Sequence, residues 1–216
     1  MPAIDMIPEP FQKYCRQWSQ DVHQLTSTDA QIGFFQEALP DLLLDQSAWS
    51  SILGNIAQGR PYPDIRGAGI FENEVLLYMD EARRFSIRIY FFNPGESTMV
   101  HDHSSWGVSG TPAGRLEMVK YRLEKENAEE GWAGLSETKR LELEPGQVEV
   151  TLPLDRGIHS TGNPLSDGTI IMASVYGKPM RRLYIRRFDP DTHRVTRIYT
   201  PKVRKKRAAG EALALL

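Results

Sequence analysis

His101 and His103 are a pair of residues in this sequence whose type and spacing could do chemistry. They stand two positions apart, and residues at i and i+2 of a β-strand project from the same face, so both imidazoles can reach one ion. Asp102, between them, then points to the other face and is a poor candidate for a ligand. Imidazole suits Zn, Fe, Cu and Ni, so the pair predicts a metal site without naming the metal.

A His-x-His pair is weak evidence of a metal site when it stands alone. A third ligand would have to come from His23, His159 or His193, the other histidines of the chain. Spacing does not choose among these three. His23 lies in a predicted helix and His193 in a predicted turn, and for both we expect packing or surface roles.

Glycines and a proline surround the histidines at particular positions. Gly95 precedes the pair by six residues, Gly107 and Gly114 follow it, and a second set comprises Gly146, Pro153, Gly157, His159 and Asn163. This arrangement resembles the two motifs of the cupin superfamily, Gly-x5-His-x-His and Gly…Pro…His-x3-Asn. The resemblance implies a mainly β fold, the cupin double-stranded β-helix or jelly-roll barrel, and it implies His159 as the third ligand.

Gly107 occupies the position at which most cupins have a glutamate ligand. The resemblance therefore implies a site of three histidines with the remaining coordination positions open. Among cupins, residues 70–180 resemble the cysteine dioxygenase family in its bacterial form. The most specific segments are Arg84–Ile87, Pro94-Gly95, Val100–Val108, Pro145–Val148, Gly157–His159 with Asn163, and Val175–Gly177.

This second resemblance implies a mononuclear non-haem Fe(II) centre that binds a thiolate and O2 together and yields a sulfinate. Zn, Ni or Mn could occupy the same ligands in the purified protein. The family has serine, histidine and tyrosine at alternate positions of a strand beside the iron, whereas this chain has Met172, Ser174 and Tyr176. Tyr176 is therefore the predicted catalytic residue, and Met172 and Ser174 are predicted to line the substrate pocket.

The family binds the substrate carboxylate through an arginine or a glutamine, but Glu74 stands at the aligned position. If Glu74 faces the pocket, it repels a carboxylate and can hold an amine, so we expect a substrate other than plain L-cysteine; the alternative is an exposed residue at a sheet edge. Arg88, Arg181 or Arg182 could replace the missing arginine. Trp106 could line the mouth of the pocket or pack in the core.

The elements that would position these residues fall into two parts. Residues 1–60 read as a helical lobe: apolar residues recur at spacings of three and four, Thr26–Asp29 ends the first helix, and Pro40 is predicted to open a third. Residues 61–200 show short alternating runs between Gly, Pro and Asp, which predicts the barrel. The strands expected from alternation are 85–91, 116–122, 148–152 and 171–176.

Composition narrows the classes of protein further. The chain has 216 residues, which suits a single domain, and its net charge of −2 argues against a nucleic-acid partner. The single cysteine, Cys15, excludes an intramolecular disulfide and suits a reducing compartment. No signal sequence and no stretch of roughly 20 apolar residues is found. We therefore expect a cytoplasmic protein, without a membrane partner, that acts on a small molecule and O2.

Residues 201–216 form a basic tail whose charges are Lys202, Arg204, Lys205, Lys206 and Arg207. Such a run is usually solvated, with an anionic partner as the alternative. The sequence leaves two alternatives to a thiol dioxygenase. One is a cupin enzyme of another class, either a non-thiol dioxygenase or an isomerase, and the other is a non-catalytic metal- or ligand-binding cupin.

Overall fold

Three helices precede the strands in the computed structural model, which describes residues 7–63, 70–180 and 182–213. They are α1 (Glu9–Val22), α2 (Thr28–Leu44) and α3 (Gln46–Ala57). Ser27 caps α2 by accepting a hydrogen bond from the backbone N–H of Ala30 at 3.1 Å. The break predicted at Thr26–Asp29 is confirmed.

The prediction that Pro40 opens the third helix is wrong. Pro40 lies inside α2, which continues to Leu44. The third helix begins after Asp45, whose carboxylate accepts hydrogen bonds from the backbone N–H of Ala48 at 3.0 Å and from the Ser47 hydroxyl at 2.6 Å. A carboxylate that caps the first turn in this way starts a helix more effectively than a proline does.

The strands are β1 (Glu74–Met79), β2 (Phe85–Phe92), β3 (Val100–His101), β4 (Gly107–Gly110), β5 (Leu116–Asn127), β6 (Trp132–Leu143), β7 (Val148–Thr151), β8 (Ile158–Gly162), β9 (Ile170–Gly177), β10 (Tyr184–Asp189) and β11 (Arg194–Tyr199). A 3₁₀ turn, Leu154–Gly157, precedes β8, and α4 (Pro201–Leu213) follows the last strand. Each of the four strands predicted from alternation is present.

The strands form two antiparallel sheets. The first sheet has the order β1-β2-β9-β4-β7, and the second closes on itself in the order β10-β11-β6-β5-β8-β3. From β3 to β9 the chain passes back and forth between the two sheets, which is the winding of a jelly roll. The predicted fold, a mainly β cupin double-stranded β-helix with an N-terminal helical lobe, is confirmed.

The first sheet is covered on both faces, which is why every residue of β9 is buried. The β2 residues at odd positions, Phe85, Ile87 and Ile89, pack with the helices. Their even-numbered neighbours project to the opposite face, where Tyr90 and Phe92 pack with residues of β5 and β9. Period-2 alternation thus assigns one face of β2 to the helical lobe and the other to the interior of the barrel.

Phe35 of α2 joins the helices to the first sheet. Its side chain is fully buried, and its ring centroid lies 5.4 Å from that of Trp18, 5.0 Å from that of Phe85 and 5.8 Å from that of Trp106. One aromatic cluster therefore includes α1, α2, β2 and the residue before β4.

The basic residues of the tail lie on α4. Lys202, Arg204, Lys205 and Lys206 are exposed, as is Arg207, whose guanidinium lies 4.4 Å above the ring of Tyr199. The run is therefore exposed along α4. No helix in the described ranges is both long enough and apolar enough to span a membrane.

We predict that Phe35→Ala lowers the free energy of unfolding by about 3–5 kcal/mol, because truncation leaves a cavity among three aromatic rings. Since the helices and the first sheet share this core, unfolding in urea should remain a single transition. Phe34→Ala, at a half-buried neighbour, is the control and should lower the free energy of unfolding by less. Two separate transitions, with only the first shifted by Phe35→Ala, would show instead that the lobe and the barrel unfold independently.

Candidate metal centre

His101, His103 and His159 meet inside the barrel. Their ligand atoms all lie within 4.8 Å of one another. The ring centroids are 4.6 Å apart for His101 and His103, and 4.9 Å apart for each of the other two pairs. The structure thus brings together the pair predicted from spacing and the third histidine implied by the cupin motifs.

Strand pairing positions these rings. His101 of β3 lies opposite His159 of β8, so the two side chains share a face. β3 ends at His101, and the next residues are held by backbone hydrogen bonds, from Leu154 N–H to the His103 carbonyl at 2.9 Å and from Met180 N–H to the Ser104 carbonyl at 2.7 Å. His103 therefore continues the i, i+2 projection although it lies just beyond the strand.

Backbone carbonyls orient two of the imidazoles. The Nδ1 of His101 lies 2.8 Å from the Met99 carbonyl, and that of His159 lies 3.1 Å from the Gly157 carbonyl. A carbonyl can only accept, so each Nδ1 donates its proton and each Nε2 is left with a free lone pair. This is the arrangement in which metal-binding histidines are commonly held.

The Nε2 of His103 is buried and has no hydrogen-bond partner among the described residues. A buried polar atom without a partner is costly, and a metal ion at the centre of the three rings would satisfy it. The chemistry of the donor set also fits, because neutral imidazole is a ligand of Fe, Zn and Ni. The residues present therefore fit a divalent ion.

Burial keeps the three imidazoles neutral. It lowers the pKa of His101, lowers the pKa of His103 well below its ordinary value, and lowers the pKa of His159 from 6.5 to about 3. At neutral pH all three rings can donate a lone pair without first losing a proton.

Gly107 leaves no room for a fourth ligand on its strand. A Cβ at this position would lie 2.8 Å from Cε1 of Tyr176. The tyrosine ring therefore occupies the space next to Gly107, and the described residues that form the ligand group are three histidines without a carboxylate.

Tyr176, Ser174 and Met172 share the face of β9 that looks into the barrel. The ring of Tyr176 lies 5.5 Å from that of His103, centroid to centroid. The Ser174 hydroxyl lies 2.8 Å from that of Ser109, and Met172 packs in the apolar cluster of the interior. All three predicted site residues of β9 thus line the interior. Tyr176 is in ring contact with one of the three histidines, which we call the metal group.

Glu74 is not an exposed edge residue. Its side chain is only 4% exposed, and its Oε1 accepts a hydrogen bond from Nη1 of Arg88 at 2.7 Å. Glu74 lies opposite Tyr90 in the β1–β2 register, and Arg88 lies opposite Ser174 in the β2–β9 register. The ion pair is therefore on the same face of the sheet as Tyr176, whose ring lies 5.2 Å from the guanidinium carbon of Arg88.

Trp106 packs in the core between the sheet and the helices. It is 4% exposed and belongs to the same apolar cluster as Phe35. A Cβ on Gly177 would lie 2.1 Å from its indole, which places the indole on the face of β9 opposite Tyr176. Of its two expected positions, the mouth of the pocket and the core, the structure shows the core.

Arg182 is neither a surface charge nor a carboxylate clamp of the pocket. It forms a two-point ion pair with the fully buried Asp102, Nη1 to Oδ2 at 2.9 Å and Nη2 to Oδ1 at 2.5 Å. A buried carboxylate needs such partners, and the guanidinium of Arg182 is therefore engaged by Asp102. Arg181 lies outside the described residues.

The remaining histidines lie away from the metal group. His23 follows the end of α1. His193 has a φ of 57° in the turn between β10 and β11, and its ring lies 5.5 Å from that of Trp132.

Sequence reasoning missed Tyr90. This residue is buried, faces the interior, and pairs with Glu74 on one side and Met172 on the other. The alternation of β2 places Tyr90 on the same face as Arg88, but only the register between strands shows which residues surround it.

A comparison with protein-family models finds no match for this chain. Among solved structures, a cupin 2 domain-containing protein from Halorhodospira halophila is 18% identical with a TM-score of 0.40, over 60% of this chain and 79% of that chain. An RmlC-like cupin from Ralstonia eutropha is 15% identical with a TM-score of 0.36, over 65% of this chain and 74% of that chain.

A chain from crystal structures of DMSP lyases is 18% identical with a TM-score of 0.31, and the match spans 43% of this chain but only 38% of that chain. The cupin fold is assigned from the strand order of this protein, and these distant likenesses add nothing about its reaction. Cupins include both enzymes and ligand-binding proteins, so the function depends on the site.

We predict that His101→Ala, His103→Ala and His159→Ala each abolish stoichiometric metal binding, because each removes one of three converging lone pairs. His23→Ala and His193→Ala are the matched controls and should bind as much metal as the wild type. The measurement is the metal content of each variant, by elemental analysis after anaerobic loading with Fe(II). Full metal content in the His159 variant would show that the third ligand has been wrongly assigned.

The lowered pKa of His159 predicts how the stability of the metal-free protein depends on pH. Between 6.5 and about 3 the unfolded chain binds a proton at this residue that the folded chain does not. The contribution of His159 to the free energy of unfolding is therefore fully present above pH 6.5 and is lost progressively as the pH falls towards 3. In urea unfolding at pH 7 and pH 5, metal-free wild type should lose more stability than His159→Gln; equal losses would contradict this account.

Proposed function

We propose that this protein is a mononuclear non-haem Fe(II) and O2-dependent dioxygenase that oxidises a small thiol to a sulfinate. The observation that carries the proposal is the ligand group of three neutral imidazoles, with no carboxylate among the described residues that form it. Three neutral ligands leave a divalent ion its full charge, which favours an anionic ligand such as a thiolate. The resemblance of residues 100–108 to cysteine dioxygenases supports the same reaction.

In this reaction both atoms of O2 add to the sulfur, and the thiol proton passes to solvent. When bound, Fe(II) would supply the O2 chemistry and hold the substrate sulfur as a thiolate. His101, His103 and His159 would hold the ion. The chain's other contribution is to orient the thiol and to keep water away from it, which the buried wall of Tyr90, Met172 and Tyr176 can do.

Tyr176 is the residue to which we assign a direct role. Burial raises the pKa of Tyr176, and raises that of Tyr90 well above the ordinary value. Both phenols therefore keep their protons at neutral pH and can donate hydrogen bonds. Because the ring of Tyr176 contacts that of His103, its hydroxyl is the donor that we expect to steady a ligand bound beside the histidines.

The Glu74–Arg88 ion pair supports a substrate other than plain L-cysteine. An arginine fork holds a carboxylate well when it is available, but Arg88 already donates to Glu74. A substrate carboxylate would have to compete with Glu74 for the same guanidinium, and would meet a like charge in a pocket of low polarity. A neutral thiol, or a cationic one such as cysteamine, avoids this repulsion.

We predict that the Fe(II)-loaded protein consumes O2 with cysteamine faster than with L-cysteine or 3-mercaptopropionate. Glu74→Gln should raise kcat/KM for the two carboxylate-bearing thiols at least about tenfold, because it frees Arg88 and removes the repulsion. Sulfinate formation, measured by mass spectrometry with ¹⁸O2, should account for the O2 consumed.

The control is Glu142→Gln, which removes a carboxylate that pairs with Arg115 on the surface and should leave the substrate preference unchanged. Efficient turnover of L-cysteine by the wild type would overturn the substrate assignment. Absence of O2 uptake with every thiol, in protein shown to hold stoichiometric Fe(II), would overturn the proposed reaction and favour a cupin of another class or a non-catalytic one.

A further inference from the structure

Asp102, between the two histidines of the pair, is a buried carboxylate with several hydrogen-bond donors around it. It is 0% exposed. Besides its two-point contact with Arg182, it accepts hydrogen bonds from Nε of Arg186 at 2.7 Å and from the Arg186 backbone N–H at 2.8 Å. Its own backbone N–H donates to the Arg186 carbonyl at 3.1 Å. Asp102 is therefore attached to the β10 strand through both its side chain and its backbone.

Arg186 extends these contacts towards the third histidine. Its Nη1 donates to Glu126 at the end of β5 at 2.9 Å, and its Nη2 donates to Asp155 in the 3₁₀ turn that leads into β8. Asp155 stands four residues before His159. One guanidinium thus links the segment of His101 and His103 to the turn before His159.

Burying this many charges is not needed for a stable fold. Taking a carboxylate and two guanidinium groups out of water costs free energy that their attraction only partly recovers, and apolar replacements are often as stable. What the network does provide is geometry, because bidentate arginine–carboxylate pairs fix both distance and orientation. The segment that it fixes carries two metal ligands, one on each side of Asp102.

We propose that Asp102, Arg182 and Arg186 form a positioning network that sets the relative orientation of the three histidines and thereby the affinity and geometry of the metal site. None of the three side chains belongs to the ligand group, so the role of the network does not depend on which reaction the protein carries out. Substitution of residues that orient metal ligands commonly changes the metal affinity 10–100-fold.

The test uses anaerobic Co(II) as the probe, because its visible absorption reports coordination geometry without turnover. Asp102→Asn keeps the shape of the side chain but removes the charge, and Arg186→Lys keeps the charge but removes the fork. We expect both variants to bind Co(II) at least about tenfold more weakly than the wild type. We also expect altered absorption bands, although all three histidines are retained.

The matched control is Asp80→Asn. Asp80 is also buried, at 1% exposed, and also accepts two hydrogen bonds from one arginine, Arg84 Nε at 2.8 Å and Nη2 at 2.6 Å, but it lies in the turn between β1 and β2. Asp80→Asn should lower the melting temperature of the metal-free protein and leave the Co(II) affinity and spectrum unchanged.

Two results would overturn the proposal. The first is wild-type affinity and spectrum in Asp102→Asn or Arg186→Lys, measured at a temperature at which the metal-free variant is folded. The second is an equal loss of affinity in Asp80→Asn, which would reduce the effect to general stability. If Asp102→Asn does not fold, Arg186→Lys decides the question alone.

Discussion

The convergence of three neutral imidazoles in the buried interior is the constraint on which the rest of this structure depends. Each ring must be uncharged, directed inward by a contact at its other nitrogen, and held at a fixed distance from the other two. The backbone carbonyls of Met99 and Gly157 meet the second requirement for two of the rings. Pairing of β3 with β8 places His101 opposite His159 and so fixes the distance between these two rings.

The first sheet serves two purposes with its two faces. One face carries aromatic and aliphatic side chains that pack against the helices, with Phe35 at the junction. The other carries Tyr176, Ser174, Arg88 and Glu74, which together form a polar wall facing the histidines. Packing of the helical lobe therefore stabilises the same strands that present this wall.

Gly107 and Tyr176 explain why β4 contributes no carboxylate to the ligand group. The tyrosine ring lies where a side chain at residue 107 would have to begin. A carboxylate at this position and the present placement of Tyr176 exclude each other. The protein thus has the phenol of Tyr176 near the histidines in place of a charged ligand at residue 107. No carboxylate from β4 would then compensate the charge of a bound divalent ion.

Local patterns in the sequence predicted the parts of the structure that depend on periodicity and motif. Alternation located β2 and β9, and the histidine spacing predicted that His101 and His103 project into one cluster. What could not be predicted depends on register or on distant partners. Arg182 pairs with Asp102 across 80 residues, and Glu74 meets Arg88 only because β1 pairs with β2 in a particular register. Pro40 was misassigned because the cap formed by Asp45, rather than the proline, decides where the third helix begins. Packing against the helices, which the residue type does not reveal, decides the position of Trp106.

The identity of the metal ligands is the property on which the proposed function depends. The most direct measurement is a crystal structure of the anaerobically Fe(II)-loaded protein, with the ion located by anomalous scattering at the iron edge. We predict one ion per chain, bound by the Nε2 atoms of His101, His103 and His159 and by no protein carboxylate. An ion at another position, or a carboxylate in its coordination sphere, would contradict the account.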